Sequence, residues 1–107
     1  VNAEVVITLT GDTFDAAIKA HPLIFVQFYA PWCQHCRSLA PDFEAAAKSL
    51  QGKVVFAKID ATTEVLISER YGIDGYPTIA LFRSGLPEEY NGQRSVSGMV
   101  EWILEAA

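Results

Sequence analysis

Positive charge is scarce in this sequence. Its 107 residues carry 8 Lys and Arg against 13 Asp and Glu, which gives a net charge of −5 at pH 7. A chain with this balance lacks the positive field that attracts nucleic acid or an anionic membrane surface. Long apolar runs are also missing, because Gln27 interrupts the run over residues 23–30 and a membrane span needs about 18 apolar residues. We therefore expect neither a nucleic-acid partner nor a membrane segment.

Cysteine is limited to two residues, Cys33 and Cys36. A bridge between them would close a loop too short to stabilise the fold by restricting the unfolded chain. A structural zinc site is not expected either, because such sites use four ligands, usually with a second Cys or His pair at regular spacing, and beyond Cys33, Cys36 and His35 only His21 remains. The cysteine pair therefore requires a chemical explanation rather than a structural one.

The remaining composition is that of one globular domain. Half of the residues are apolar and 20% are charged, which excludes extensive disorder. A chain of this length builds one core. It begins at Val1 without Met, shows no leader and ends without an ER-retention tetrapeptide. We therefore expect residues 1–107 to be a single domain taken from a longer chain.

Apolar spacing predicts the element order β-α-β-α-β-α-β-β-α. The predicted strands cover residues 5–9, 23–29, 54–59, 78–83 and 88–91. The first predicted helix begins at residue 12 or 13, and the other three cover residues 33–50, 61–71 and 95–107. The second and third strands are almost continuously apolar, as central strands covered on both faces are. The order predicts an α/β fold with a central mixed sheet, helices on both faces and one antiparallel edge.

All four helices have predicted inward faces, which the first helix forms with Phe14, Ala17 and Ile18. The residues expected to face the core are Cys36, Leu39, Phe43, Ala46 and Leu50 in the second helix, Val65, Leu66 and Tyr71 in the third, and Val96, Val100, Ile103 and Leu104 in the last. Pro41 lies inside the second pattern. Because the apolar spacing continues past it, Pro41 should kink this helix without ending it.

Cys33 and Cys36 open the second helix directly after a central strand. Free backbone N–H groups and the positive end of the helix dipole favour a Cys33 thiolate at this position. A thiolate attacks disulfides, and the resulting mixed disulfide must be resolved by a second thiol, which Cys36 supplies three residues later. Because Cys36 lies on the buried stripe and Cys33 at the solvent-accessible helix start, we expect Cys33 to attack and Cys36 to resolve.

The segment 28–36, Phe-Tyr-Ala-Pro-Trp-Cys-Gln-His-Cys, resembles the active-site segment of protein disulfide isomerase catalytic domains, within the thioredoxin family. The likeness covers essentially the whole chain. It includes residues 39–41, 56–60, 71–73, 75–78, 82–85 and 90–94. The resemblance implies a thioredoxin fold whose active site exchanges thiols and disulfides with unfolded or partly folded proteins.

His35 stands between the two cysteines. When protonated it is a cation beside Cys33, and a stabilised thiolate stabilises the reduced form, so the disulfide becomes a better oxidant. Each unit by which the Cys33 pKa falls corresponds to roughly 30 mV. A thioredoxin-type reductant typically has Gly-Pro between its cysteines. His35 therefore favours oxidase and isomerase activity, whereas His21 is interpreted as a solvated loop residue.

The resemblance also points to a substrate-binding loop. The family places a cis proline beside the two sulfurs, where the preceding carbonyl is free to pair with an extended substrate. We therefore expect Pro77 to be cis, with Tyr76 and Gly75 as its flanks, although only about 5% of such bonds are cis in folded proteins. Trp32, at the mouth of the site, is expected to be partly exposed and to contact substrate.

Two positions depart from the family pattern. Gln34 stands where the family usually has Gly, and Gln27 where it usually has a buried acid that moves the proton of the resolving thiol. Because an amide is a very poor base, resolution by Cys36 should be slow, and Gln27 fits a buried amide satisfied by backbone or water. Lys58 matches the lysine that partners the acid. Arg94 matches an arginine that swings towards the resolving thiol and lowers its pKa, with a solvated loop residue as the alternative.

These features predict a thiol-disulfide oxidoreductase that forms and isomerises disulfides in protein substrates through Cys33 and Cys36, without a bound cofactor or metal. The alternatives are a peptide-binding, chaperone-like module with a slow redox site and a thioredoxin-type protein reductant. We expect a monomeric domain that is re-oxidised by glutathione or a protein oxidant. An oxidising dithiol is useful where disulfides persist, which predicts the endoplasmic reticulum lumen.

Overall fold

The computed structural model describes residues 5–107. Its elements in chain order are β1 (Val6–Leu9), α1 (Gly11–Ala20), β2 (Leu23–Tyr29), α2 (Gln34–Ser49), β3 (Val55–Asp60), α3 (Val65–Arg70), β4 (Thr78–Arg83), β5 (Leu86–Glu89) and α4 (Val96–Ala106). The predicted order of strands and helices is confirmed. In this part of the chain no helix combines the length and the apolar character needed to cross a membrane.

The strands form one sheet in the order β1-β3-β2-β4-β5. β1, β3 and β2 run parallel, whereas β4 is antiparallel to β2, and β5 is antiparallel to β4. The two almost continuously apolar strands are direct neighbours, with Phe25 of β2 opposite Phe56 of β3. β2 is buried from Ile24 to Phe28, as expected for a strand covered on both faces. The predicted mixed sheet is therefore confirmed.

Two apolar cores lie on opposite faces of the sheet. On one face, α2 and α4 pack around Phe25, whose ring centre lies 5.8 Å from that of Phe43 and 5.1 Å from that of Phe56. On the other face, α1 and α3 pack around Phe14, whose ring centre lies 5.7 Å from that of Phe82. Burying each such ring stabilises the fold by about 1.5–3 kcal/mol. These cores fix the positions at which β2 ends and α2 begins.

α3 is shorter than the predicted helix over residues 61–71. The carboxylate of Asp60 accepts hydrogen bonds from the backbone N–H of Thr62 at 2.9 Å and from its hydroxyl at 2.5 Å. This side-chain turn competes with helical hydrogen bonding, as Asp residues commonly do after a strand. The helix therefore begins only at Val65, after the turn.

Two of the predicted inward faces are wrong in part. In α3, Val65 and Leu66 are exposed and Ile67 is buried instead. In α4, Leu104 is exposed next to the buried Ile103. Successive helical residues point about 100° apart, so a short run of apolar residues cannot place all of its side chains in one core. The predictions from the apolar runs therefore assigned too many side chains to the buried faces of both helices.

The hairpin between β4 and β5 is tighter than predicted. We expected a loop over 84–87 and a strand over 88–91, whereas β5 spans Leu86–Glu89. Ser84 and Gly85 form the turn, and both have positive φ angles, 50° and 87°. This is the backbone of a two-residue type I′ turn, whose twist matches that of the strands it joins. Pro87 lies opposite Phe82 on the edge strand, where a missing N–H is tolerated.

Candidate active site

The two cysteines lie where the chain leaves β2 and enters α2. Cys33 is the N-cap of α2, and its Sγ accepts a hydrogen bond from the Cys36 N–H at 3.2 Å. The sulfur thus satisfies one of the free donors at the helix start. Both thiols are free, so this is the reduced dithiol. The buried stripe that begins with Cys36 is confirmed, and the helix continues through Pro41 as predicted.

Both cysteines are buried, which corrects the prediction that Cys33 is solvent-accessible. Cys33 is 6% exposed and Cys36 is 5% exposed. The loop before β4 covers Cys33, whose thiol donates a hydrogen bond to the Tyr76 carbonyl at 3.6 Å. The cysteines and Ala30 form a small apolar cluster, with Tyr29 packed against it. We predicted exposure from the position of Cys33 at the helix start. That position alone does not show that a loop from a distant part of the sequence covers the sulfur.

The surroundings of the two sulfurs separate their pKa values. Burial opposes ionisation of Cys33, but hydrogen bonds from Cys36 and from the His35 backbone, together with the charge of Arg94, outweigh burial and lower the pKa of Cys33. Burial and the interactions with Cys33 raise the pKa of Cys36 to about 11, although the Ala30 backbone and Arg94 oppose this. Cys33 therefore ionises more readily, as its expected role as the attacking thiol requires.

The loop over Cys33 joins α3 to β4. Its Tyr76–Pro77 bond is cis, as the resemblance implies. The Tyr76 ring packs edge-on against Trp32, with ring centres 5.7 Å apart and planes at 89°. Trp32 is 67% exposed, which confirms its predicted partial exposure, and Gly75 is exposed in open space. An exposed aromatic side chain and an open loop therefore flank the covered sulfur.

A groove of about 340 Å³ begins at Pro77 and is lined on its other side by residues from 89 to 94. Arg94 lines this groove and is exposed. Its positive charge nevertheless favours the thiolates of both Cys33 and Cys36. Arg94 is thus an exposed loop residue whose charge acts on both sulfurs, whereas its movement towards Cys36 stays a prediction.

Replacing Arg94 with Gln should raise the pKa of both thiols. Alkylation of Cys33 by iodoacetamide at pH 7 should then slow by less than about fivefold, because solvent screens an exposed charge. The rate of alkylation as a function of pH measures the effect. Arg37→Gln is the matched control, since exposed Arg37 donates to the Pro31 carbonyl at 3.3 Å and is not among the groups that shift either thiol pKa. Equal slowing by both substitutions would contradict the prediction.

Gln27 lies on the face of the sheet that α2 covers. Because successive side chains of a strand point to opposite faces, Gln27 points to the same face as Phe25, and it is 5% exposed. That backbone or water satisfies the buried amide of Gln27 stays a prediction. Lys58, the neighbour of Gln27 on β3, is exposed, with Nζ 5.9 Å from the centre of the Tyr29 ring. In the described part of the chain, Lys58 forms no ion pair.

The two residues between the cysteines, Gln34 and His35, are exposed. The His35 backbone, one of the free donors expected at the helix start, helps to lower the pKa of Cys33. The resemblance pointed to the carbonyl before Pro77 as a substrate contact, but not to its hydrogen bond with the Cys33 thiol. That hydrogen bond joins residues 43 positions apart, so the spacing of side chains could not have revealed it. The effect of the imidazole charge stays a prediction.

A mixed sheet between two helical layers, with a Cys-x-x-Cys dithiol at the start of the helix after the central strand, defines a thioredoxin-fold protein with a redox site. A model of the thioredoxin family matches residues 5–105, and the chain belongs to this family.

Curated relatives are protein disulfide-isomerases. Protein disulfide-isomerase A4 of Homo sapiens is 44% identical over 105 residues, which are 95% of this chain and 16% of that protein. The protein disulfide-isomerase of Hordeum vulgare is 46% identical over 107 residues, covering 94% of this chain and 21% of that protein. The chain thus matches only a small part of the length of either relative.

Solved structures agree with this assignment. The first thioredoxin domain of mouse protein disulfide-isomerase A4 superposes with a TM-score of 0.88 at 31% identity, covering 99% of this chain and 78% of that one. The J-Trx1 fragment of ERdj5 gives a TM-score of 0.88 at 34% identity, covering 95% of this chain and 51% of that one. The predicted thioredoxin fold is confirmed.

Proposed function

We propose that this domain is a thiol-disulfide oxidoreductase that forms and isomerises disulfide bonds in unfolded or partly folded proteins. One observation carries the proposal: the pKa of Cys33 is lowered while that of Cys36 is raised to about 11, although both belong to one turn of helix. A structural cysteine pair needs no such difference. Thiol-disulfide exchange does, because one sulfur must attack while the other waits as a protonated thiol.

The oxidising reaction starts from a Cys33–Cys36 disulfide. A client thiolate attacks the Cys33 sulfur, the S–S bond breaks, and Cys36 takes the electron pair and then a proton. A second client thiolate attacks the client sulfur of the mixed disulfide, and Cys33 leaves as a thiolate. The client loses two electrons and gains a disulfide, and the domain is left as the dithiol seen in the structure. Isomerisation starts from that dithiol, when the Cys33 thiolate attacks a client disulfide.

The client is proposed to bind along the loop that covers Cys33. The Tyr76 carbonyl accepts a hydrogen bond from the Cys33 thiol, and an extended chain approaching that sulfur can replace this contact with its own N–H. Trp32 supplies exposed apolar surface on one side, and the groove beside Pro77 and Arg94 continues the path on the other. Polypeptides with accessible cysteines fit such an open surface better than small rigid ligands do.

Refolding of reduced ribonuclease in a glutathione buffer tests the proposal. The domain should accelerate recovery of ribonuclease activity, and Cys33→Ser should remove the acceleration. A chaperone-like module would instead suppress aggregation as well after Cys33→Ser as before it. A thioredoxin-type reductant would show a strongly reducing equilibrium with glutathione and would reduce insulin faster than it oxidises ribonuclease.

Substitution of His35 should make the couple more reducing. His35→Gln replaces the imidazole with a side chain that cannot be protonated, whereas His35→Pro also removes the backbone N–H that helps to stabilise the Cys33 thiolate. The reduction potential should therefore fall in the order His, Gln, Pro, by roughly 30 mV for each unit by which the Cys33 pKa rises. The equilibrium constant with glutathione measures both variants. An unchanged constant in His35→Pro would contradict this electrostatic account.

We further propose that the domain acts in the endoplasmic reticulum lumen, without a bound cofactor, and is re-oxidised by glutathione or a protein oxidant. A dithiol whose reactive thiolate is stabilised favours the oxidising direction, which is productive where disulfides persist. We also propose that residues 1–107 act as one catalytic domain and as a monomer. Gel filtration of the isolated domain tests the last point.

A further inference from the structure

A pocket of about 160 Å³ opens beside the edge of the sheet, on the face that α1 and α3 cover. We call it the side pocket. Phe28 and Phe82 form its floor, Tyr71 and Pro87 its walls, and Glu89 contributes the only charged side chain among its lining residues. A cavity of about 150 Å³ can hold a benzene-sized group, so this space admits one side chain.

The strand register shows that Glu89 points towards this pocket. Cross-strand partners point to the same side of a sheet, and Glu89 is opposite Ala80, whose side chain belongs to the core on this face. Its neighbour Glu88 therefore points to the other side, where its carboxylate pairs with Arg83 at 2.8 Å. Within residues 5–107, Glu89 has no ion-pair partner.

The basic group near the side pocket is already neutralised. The Arg70 guanidinium lies 5.8 Å from the centre of the Tyr71 ring, and it pairs with Asp15 at 2.6 Å. Glu89 also lines the groove that contains Arg94, but it forms no ion pair within residues 5–107 and lies beside an apolar floor. An apolar space with one free carboxylate at its edge matches a side chain that has an apolar stem and a cationic end.

The side pocket is close to the redox site along the chain. Tyr76, whose carbonyl contacts the Cys33 thiol, also packs with its side chain against the core that contains the pocket floor. Thr78, two residues later, lines the pocket. Thr78 follows Tyr76 by two residues, so an extended client that lies along this loop, at about 3.3 Å per residue, brings residues two to four positions from its cysteine towards the pocket.

We propose that the side pocket binds a lysine or arginine side chain of the client, two to four residues from the cysteine that reacts. The inference rests on the proposed function and specifies its substrates. The stem of the basic residue packs on Phe28 and Phe82, and its cationic end pairs with Glu89. Clients with a basic residue at this separation are oxidised in preference to clients with an apolar or acidic one.

The test uses short dithiol peptides that differ at one position, three residues before or after the reacting cysteine. That position is Lys, norleucine or Glu, and kcat/KM for oxidation by the disulfide form is measured for each. In one of the two placements Lys should exceed norleucine by about two- to fivefold, as expected for one partly exposed ion pair, with Glu lowest. Glu89→Gln should abolish the preference for Lys over norleucine.

Glu88→Gln is the matched control, because it makes the same change of charge one residue away on the opposite face. It should leave the preference for Lys intact. Norleucine equal to or better than Lys in both placements, or equal loss of the preference in both variants, would overturn the basic side pocket while leaving the proposed function standing. Failure of the domain to oxidise any of the peptides would contradict the proposed function itself.

Discussion

Replacing Cys33 with Ser is expected to reduce disulfide exchange to the uncatalysed background, whereas replacing Cys36 with Ser is expected to trap the client. The two results differ because the surroundings of the two sulfurs differ. In Cys36→Ser the backbone N–H groups of residues 35 and 36 and the charge of Arg94 still favour the Cys33 thiolate, so Cys33 remains able to attack a client disulfide. Without the second thiol, resolution within the domain is impossible and a mixed disulfide accumulates.

Non-reducing electrophoresis with a disulfide-containing client protein measures the trapped species. Cys36→Ser should produce a client adduct that disappears on addition of reductant, and the Cys33→Ser,Cys36→Ser double variant is the control for non-specific capture. Adducts with Cys33→Ser but not with Cys36→Ser would show that the assigned roles are reversed. Such a result would also conflict with the pKa of about 11 at Cys36.

The central part of the fold could be predicted because its apolar pattern is strong. Residues 23–29 and 54–59 are almost continuously apolar, and they became the adjacent strands at the centre of the sheet. Apart from the inward faces of α3 and α4, the errors lie at element ends, where one side chain or one turn decides the boundary. The Asp60 carboxylate delays the start of α3, and the positive φ of Ser84 allows a two-residue hairpin. Apolar periodicity contains no information about either.

The side chains of the candidate site could be predicted from the sequence, but their burial and their contacts could not. The spacing of Cys33 and Cys36 indicated a dithiol, and the buried stripe of α2 placed Cys36 inside. Burial of Cys33 could not be predicted, because it depends on the Tyr76 carbonyl, 43 residues away along the chain. The sequence likewise could not decide how Arg94 acts, since its influence on the sulfurs depends on where a loop folds back.

Restoring an acid at position 27 is expected to accelerate the step in which Cys36 resolves the mixed disulfide. In the dithiol the pKa of Cys36 is raised to about 11, and its largest cause, burial, persists in the mixed disulfide, so Cys36 needs a base to remove its proton. Gln27 lies on the α2 face but has no titratable group. In Gln27→Glu, resolution should be at least about tenfold faster, because a positioned general base typically contributes about 10²–10⁴-fold.

The same substitution should lower the free energy of unfolding. Burial favours the neutral form and raises the pKa of the introduced carboxyl above its unfolded value, about 4.3. The destabilisation should therefore be small below about pH 4 and increase as the pH rises towards 7, where it should reach about 1–3 kcal/mol. Exposed Lys58, opposite on β3, can limit this loss but is too solvated to remove it. Urea unfolding at several pH values measures the change.

Stopped-flow measurement of mixed-disulfide resolution distinguishes a buried base from a general effect of added charge. Gln34→Glu is the matched control, because it makes the same chemical change at an exposed position beside Cys33. If the buried position matters, Gln27→Glu should speed resolution and leave attack by Cys33 unchanged, while Gln34→Glu should leave resolution slow. Equal resolution rates in the parent and in Gln27→Glu would show that water or another group already carries the Cys36 proton. Gln27 would then serve only in packing.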